Sequence, residues 1–194
     1  MGYTPALSKA WSELKDLAQE QEFSVRLLSD QYNVDIGNER ILSLSCNAPC
    51  KDHIGILILH YLKQKLKGLP VISGEWVSFK QLEGGQGYYP AFQKRVIAPI
   101  MRKYGLNPEA ILGSVERFNA KRAQLADASV VIDILEGVPI LITLWHGDEE
   151  FGPRGNILFD AVTSDYLSTY DITVLCENIT WRFIKFSKGG GLSG

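Results

Sequence analysis

The sequence predicts an α+β fold in which antiparallel strand groups pack against about five helices. Some segments repeat apolar residues at helical spacing, others alternate apolar and polar residues, and turn residues separate the two kinds. No internal repeat or wide linker divides the chain. We therefore expect a single domain over residues 1–187, followed by a flexible Gly-rich tail at 188–194.

The first elements are a helix and a meander. Apolar residues from Leu7 to Ala18 recur every three or four positions, which predicts an amphipathic helix. Over residues 23–44 apolar and polar residues instead alternate, and Gly37-Asn38 marks a turn within this segment. This segment predicts three short antiparallel strands.

A second helix and a strand come next. Asp52 is a candidate cap for a broadly apolar helix that reaches Lys67, and Gly68 then ends it. Alternation over residues 75–82 predicts a strand, and the glycines at 84–87 predict a flexible break.

The middle of the chain reads as two helices. One runs from Pro90 to Tyr104, and Pro99 is expected to kink or split it. The other begins at Asn107-Pro108, a cap followed by proline in the first turn, and ends near Phe118.

The last third predicts a hairpin and a final helix. Two β-rich runs over residues 130–145 are separated by Glu136-Gly137. Residues 146–156 are the least regular part. Ser168 and Asp171 then have the spacing of a capping box before a helical stripe of apolar residues.

Composition excludes several classes of protein. With 20 basic and 22 acidic side chains the net charge is −2, which argues against nucleic-acid binding. The longest apolar runs, residues 54–59 and 138–145, are too short to span a bilayer. Three cysteines, an odd number, and the absence of a targeting segment favour the reducing cytoplasm.

Charge is unevenly distributed along the chain. Residues 94–122 carry a net charge of +5, and residues 123–171 carry −8. The two segments either face each other or are solvated separately. Alternatively, they form a polar site with one basic and one acidic wall.

Two groups of side chains are candidate metal or redox sites. The first group is Cys46 and Cys50, with His53 nearby. These cysteines are ordinary loop residues, a redox pair or part of a metal site. Because Cys50 comes just before the start of a helix, its pKa is expected to be lowered. An acidic loop directly after the hairpin suits a hard metal ion or acid–base chemistry, or is a solvated turn. The candidate metal ligands are His146, Asp148, Glu149 and Glu150 in this loop, and Asp160 further along the chain.

Aromatic residues near glycines are candidates for holding a flat ligand. The alternative is that they belong to the core and a turn. The candidate ligand-binding residues are Trp76, Phe79, Tyr88, Tyr89, Trp145, His146 and Phe151. No phosphate-binding loop, dinucleotide fingerprint or nucleophile elbow occurs in the sequence.

The loop that carries Phe151 is expected to be anchored. Burying this side chain would gain about 1.5–3 kcal/mol. At least one of Asp148, Glu149 and Asp160 should then leave the solvent, and we expect it to pair with Arg95 or Arg102.

Residues 60–95 and 144–172 resemble the uncharacterised bacterial and archaeal family DUF3786. The phrases that carry the resemblance are Trp-Val-Ser-Phe, Gly-Asp-Glu-Glu-Phe and Ile-Leu-Phe-Asp, in that order. The resemblance implies an origin largely in anaerobes and a link to iron–sulfur or corrinoid proteins, without an established activity. This chain lacks a Cys-rich iron–sulfur segment, so any cluster would belong to a partner.

Three functions remain open. The first is a binding or accessory protein that holds a flat cofactor, such as a corrinoid or another tetrapyrrole, or a partner metalloenzyme that bears one. The second is an enzyme that uses a divalent metal ion at the acidic loop. The third is a protein-interaction module without a ligand.

Overall fold

One antiparallel sheet runs through the computed structural model, which describes residues 2–186. The strand order is β4-β3-β2-β1-β7-β8-β9-β5, and β6 pairs with one half of β7. The strands are β1 Glu22–Leu27, β2 Asp30–Asp35, β3 Arg40–Ser43, β4 Ala48–Pro49, β5 Trp76–Ser78, β6 Lys121–Ala123, β7 Ala128–Leu135, β8 Val138–Trp145 and β9 Arg154–Asp160.

Five α-helices within residues 2–186 accompany the sheet, so the predicted α+β class is confirmed. The helices are α1 Thr4–Lys15, α2 Asp52–Lys67, α3 Gly85–Phe92, α4 Ala98–Tyr104 and α5 Thr169–Phe186. Short 3₁₀ segments occupy Phe79–Gln81, Pro108–Ser114 and Ala161–Asp165. The predicted tail at 188–194 lies outside the described residues.

The core lies between the helices and the face of the sheet that we call the inner face. Apolar side chains from β7, β8 and β9 on this face are fully buried. They are Val130, Ile132, Ile140, Ile142, Leu144, Ile157 and Phe159. Each such side chain contributes about 1.5–3 kcal/mol, so the central strands are fixed firmly in register.

Elements with strong local signals follow the prediction. The meander is β1–β3, and the hairpin is β7–β8. The capping box at the start of α5 also forms. The Asp171 amide donates to Ser168 Oγ at 3.2 Å, and the Ser168 amide donates to Asp171 Oδ2 at 3.3 Å.

The segment from residue 75 to residue 104 differs from the prediction. Its strand ends at Ser78, where a capping box with Gln81 starts a 3₁₀ turn that carries Phe79 into the core. The expected flexible glycines instead begin α3, and Gly84 adopts a φ of 70° there. The predicted split before Tyr104 is confirmed, because a π-helical segment, Gln93–Ile97, precedes Pro99 in the first turn of α4.

Three further expectations were wrong. β9 occupies part of the segment expected to be irregular, because pairing with β8 imposes a strand that its sequence does not indicate. The helix expected after Asn107 is a 3₁₀ segment, and the Asn107 side chain does not cap it. Lys51, not Asp52, holds the capping position of α2.

Candidate functional site

The face of the sheet that points away from the helices is polar on one half and partly apolar on the other. Directly paired residues in antiparallel strands share a face, so the register assigns each side chain. On β1–β3 this outer face is polar apart from Leu42, and its polar residues are Glu22, Ser24, Arg26, Gln31, Asn33, Asp35 and Arg40. On β5, β7, β8 and β9 the outer face is mixed. Six apolar residues on it form what we call the apolar patch: Trp76, Val131, Pro139, Leu141, Trp145 and Leu158. The polar residues on the same face of these strands are Ser78, Ser129, Asp133, Thr143, Arg154, Asn156 and Asp160.

The apolar patch remains partly open to solvent. Leu141 at its centre is fully buried, and the five residues around it are half-buried. A solvated face of an antiparallel sheet normally carries polar side chains, as the β1–β3 half does here. The six apolar side chains on the other half therefore mark a surface suited to binding.

Two of the predicted aromatic residues share this face but lie far apart on it. Trp145 stands opposite Arg154, and Trp76 stands opposite Asp160, at the two ends of β9. Six residues of strand separate these positions, a distance of about 20 Å at ~3.3 Å per residue. The structure therefore does not bring the two tryptophans together around one small ligand.

The other predicted aromatics lie elsewhere. Phe79 is fully buried, and its ring stacks on Phe92 at 3.9 Å, so it is a core residue. Tyr89 packs against the core under the Lys80 ammonium, which lies 4.2 Å from the ring centroid. Tyr88 is exposed on α3, a helix that contacts α5 rather than the apolar patch.

The loop after β8 is anchored, but not by Phe151, which is 58% exposed. Asp148 Oδ1 accepts hydrogen bonds from the amides of Phe151 at 2.7 Å and Glu150 at 2.9 Å. These bonds hold the pKa of Asp148 below its ordinary value. The loop thus closes on itself, and Phe151 stands beside the guanidinium group of Arg154.

His146 contacts acids outside this loop. Its Nε2 lies 2.7 Å from Glu109 Oε1, and its backbone amide donates to Asp127 Oδ2 at 2.7 Å. Glu109 also lines a cavity of about 560 Å³, together with Arg122. The predicted metal ligands therefore do not converge, and residues 2–186 contain no group of three or more His, Cys, Asp or Glu side chains that could hold a metal ion.

The contact between His146 and Glu109 supports a first prediction. The hydrogen bond to Glu109 raises the pKa of His146 above its ordinary value. In Glu109→Gln we expect this pKa to fall, because the glutamine carries no charge to stabilise the imidazolium. An NMR titration of the His146 ring protons measures the change, with His53 as the internal reference. An unchanged His146 pKa would contradict the assigned pair.

Asp160, another predicted metal ligand, is a structural clamp. It is fully buried, and its carboxylate accepts hydrogen bonds from the Ser73 amide at 3.1 Å, Ser73 Oγ at 2.9 Å, the Gly74 amide at 2.7 Å and the Val162 amide at 3.2 Å. One acid thus leaves the solvent, as predicted. The expected arginine partner is wrong, since Arg95 instead pairs with Glu177 at 3.3 Å.

The clamp holds a loop that extends the apolar surface. Ser73 and Gly74 are fixed to Asp160, while Val71 just before them is 91% exposed and Ile72 is 45% exposed. This apolar pair precedes Trp76 by a few residues. A pinned loop therefore presents bulky apolar side chains to water at one edge of the patch.

The three cysteines lie in different environments. Cys46 is exposed, Cys50 is half-buried and Cys176 is buried, and all three are free. Burial, followed by the negative charges of Asp30 and Asp52, raises the pKa of Cys50 to about 12. The expected lowering of this pKa by the start of α2 is therefore wrong, and the Cys50 thiol remains protonated.

Sequence reasoning missed one arrangement in the helical layer. His60 on α2 places its Nδ1 at 2.9 and 3.1 Å from the two carboxylate oxygens of Asp171 on α5. The sequence identified Asp171 only as a cap. It identified His60 only as the first residue of a segment, residues 60–95, that resembles the DUF3786 family. Because 111 positions separate the two residues, no local spacing could have paired them.

A protein-family comparison matches this chain over residues 12–182. The matching family is described as a domain of unknown function, DUF3786. The chain belongs to this family. Both the apolar patch and the paired His60 and Asp171 fall inside the DUF3786 match. No curated protein and no solved structure matches the chain, and no helix in residues 2–186 is long and apolar enough to cross a membrane.

Proposed function

We propose that this DUF3786 protein is a non-catalytic accessory protein that docks a partner protein on the apolar patch. The observation that carries the proposal is the group of six apolar side chains on the outer face of β5, β7, β8 and β9, where the outer face of β1–β3 carries only Leu42. Apolar area and tryptophan side chains are typical of the buried centre of a protein interface.

A partner protein fits this surface better than a free flat cofactor does. The two tryptophans are about 20 Å apart along β9, so a single small ligand would contact only one of them. The cavities of about 380 and 560 Å³ are lined by other residues. A protein surface can cover the patch and the exposed Val71 and Ile72 together.

The partner that we propose is a cofactor-bearing metalloprotein, of the iron–sulfur or corrinoid type. The support for this class is the family resemblance. Some related chains are fused to an iron–sulfur domain, and others resemble partners of corrinoid proteins. The proposal places the protein in the cytoplasm, in keeping with its three free cysteines. Direct tetrapyrrole binding and a ligand-free interaction module are the competing functions.

Calorimetric titration with a purified ferredoxin and a purified corrinoid protein tests the proposal. In Leu158→Ser we expect affinity for the true partner to fall at least about tenfold, because a central apolar contact is lost. The matched control is Leu42→Ser, a half-buried leucine on the polar half of the same face. We expect this control to bind as the unmodified protein does.

Several outcomes would overturn the proposal. Equal losses in the two serine variants would show that the patch is not the interface. Tight binding of free cobalamin or haem, with quenching of tryptophan fluorescence that Trp145→Phe removes, would support the cofactor-binding alternative. Absence of binding to both metalloproteins would reject the partner class.

A further inference from the structure

A cavity of about 560 Å³ lies beside β6, next to the 3₁₀ segment Pro108–Ser114. This volume falls within the range of sites for small molecules. Its lining residues are Glu109, Leu112, Gly113, Val115, Glu116 and Arg122. None of them belongs to the apolar patch, so the cavity is a separate place at which a ligand could bind.

The strand register explains why Arg122 reaches this cavity. Arg122 of β6 stands opposite Val130 of β7, and Val130 belongs to the inner face. Directly paired residues share a face, so the Arg122 side chain lies on the helical side of the sheet. There it meets the segment Pro108–Ser114, which contacts β7. Its neighbour Lys121 stands opposite Val131 and therefore lies on the outer face.

Two of the charged groups on the cavity wall are free to bind a ligand. Within residues 2–186, the side chains of Arg122 and Glu116 form no ion pair or hydrogen bond with each other or with another residue. Glu109 differs, because His146 Nε2 already lies 2.7 Å from its carboxylate oxygen. The cavity thus offers one free positive and one free negative charge.

The rest of the wall is apolar or open. Leu112 and Val115 are half-buried and pack against the core, which fixes their positions. A Cβ atom added to Gly113 would have nothing within 4 Å, so the wall leaves space there. Because the lining has a single cation and two carboxylates, it disfavours a phosphate group. It favours a ligand that carries a positive charge of its own.

We propose that this cavity binds a small zwitterion with an apolar body, of the size of a free amino acid or a dipeptide. The carboxylate of the ligand accepts a pair of hydrogen bonds from the Arg122 guanidinium group. Its ammonium group donates to the Glu116 carboxylate, and its aliphatic side chain packs on Leu112 and Val115. The site is independent of the proposed docking function, because Arg122 and the apolar patch lie on opposite faces of the sheet.

Titration of ¹⁵N-labelled protein with leucine and with leucylleucine tests the proposal. We expect at least one of these zwitterions to shift the amide resonances of Gly113 and Arg122 until the site is saturated. In Arg122→Gln and in Glu116→Gln the affinity should fall at least about tenfold, since each change removes a charged hydrogen-bonding group. Both side chains are exposed, so the variants are expected to fold.

Two further variants separate the cavity from a general effect of charge. Lys121→Gln removes a positive charge from the same strand but from the other face, and it should bind as the unmodified protein does. Gly113→Leu places a bulky side chain in the open part of the wall and should abolish binding. Thermal unfolding of each variant verifies that the fold is retained.

Analogues of leucine with one charge assign the two roles. Isocaproate keeps the carboxylate and isoamylamine keeps the ammonium group, so each should bind at least about tenfold more weakly than the zwitterion that binds. The proposal is overturned if neither leucine nor leucylleucine shifts these resonances at concentrations up to about 10 mM. It is also overturned if both glutamine variants at Arg122 and Glu116 keep full affinity, if Lys121→Gln loses as much as they do, or if a singly charged analogue binds equally well.

Discussion

Replacing Gly85 with alanine is expected to destabilise the fold by about 3 kcal/mol or more. A Cβ atom at this position would lie 1.8 Å from the backbone oxygen of Phe79, far inside contact distance. Phe79 cannot retreat, because its ring stacks on Phe92 and lies 6.2 Å from Phe159 in the core. The added methyl group must therefore displace the start of α3 or the aromatic core. Urea-induced unfolding measures the loss.

Gly87→Ala provides the matched control. It lies in the same helix, but a Cβ atom there would have nothing within 4 Å. Alanine is the better helix former by about 0.5–1 kcal/mol. We expect this variant to be at least as stable as the unmodified protein. A loss in Gly87→Ala as large as that in Gly85→Ala would contradict the role of the close approach to Phe79.

Asp160→Ala is the second substitution with a large expected effect. It leaves the amides of Ser73, Gly74 and Val162 without their acceptor. Unsatisfied donors of this kind cost about 1–3 kcal/mol each when they remain buried, and partial access of water reduces the sum. We expect a loss of about 3 kcal/mol in the free energy of unfolding. Hydrogen exchange should also quicken at residues 73 and 74.

Asp148→Ala is the control for this substitution. Asp148 also accepts hydrogen bonds from two backbone amides, but its loop is exposed, and water can replace the carboxylate. Its replacement should cost less than about 1 kcal/mol. Equal costs for the two aspartates would contradict the role of burial at Asp160.

The Asp160 clamp also makes stability depend on pH. Burial by itself would raise the pKa of this carboxyl, but hydrogen bonds from Ser73, Val162 and Gly74 outweigh it, and the pKa lies below the ordinary value of 3.8. The unfolded chain therefore takes up the proton first as pH falls. The contribution of Asp160 is complete above pH 3.8 and is lost as pH falls below this value. Asp160→Ala should lack this part of the acid dependence.

Elements with local signals were predictable from the sequence. Helix α5 was indicated by Ser168 and Asp171, and the hairpin was indicated by two β-rich runs on either side of Glu136-Gly137. Strand β9 was not predictable, because Arg154, Gly155 and Asn156 acquire their conformation from pairing with β8. Phe79 was misassigned because alternation places it on the same face as Val77 but does not tell whether that face is the core or a ligand site.

The candidate sites were less predictable than the fold. Alternation placed Trp76 on a strand and a β-rich run placed Trp145 on another, but only the register shows that they share a face. Asp160 resembled a metal ligand because a carboxylate beside other acids looks the same in sequence whether it binds cations or backbone amides. His60 has its partner on a distant helix, so packing alone reveals it.

The position of β5 at the edge of the sheet has a consequence for the order in which the protein forms during synthesis. Ser73 leaves the ribosome 87 residues before Asp160, the residue that holds it, and β5 precedes its partner β9 by a similar interval. Until β9 emerges, the Val71 loop and β5 have nothing to pair with. A ribosome-bound chain stalled before Arg154 should therefore be cut by protease near residues 71–75, and one stalled well after Asp160 should resist.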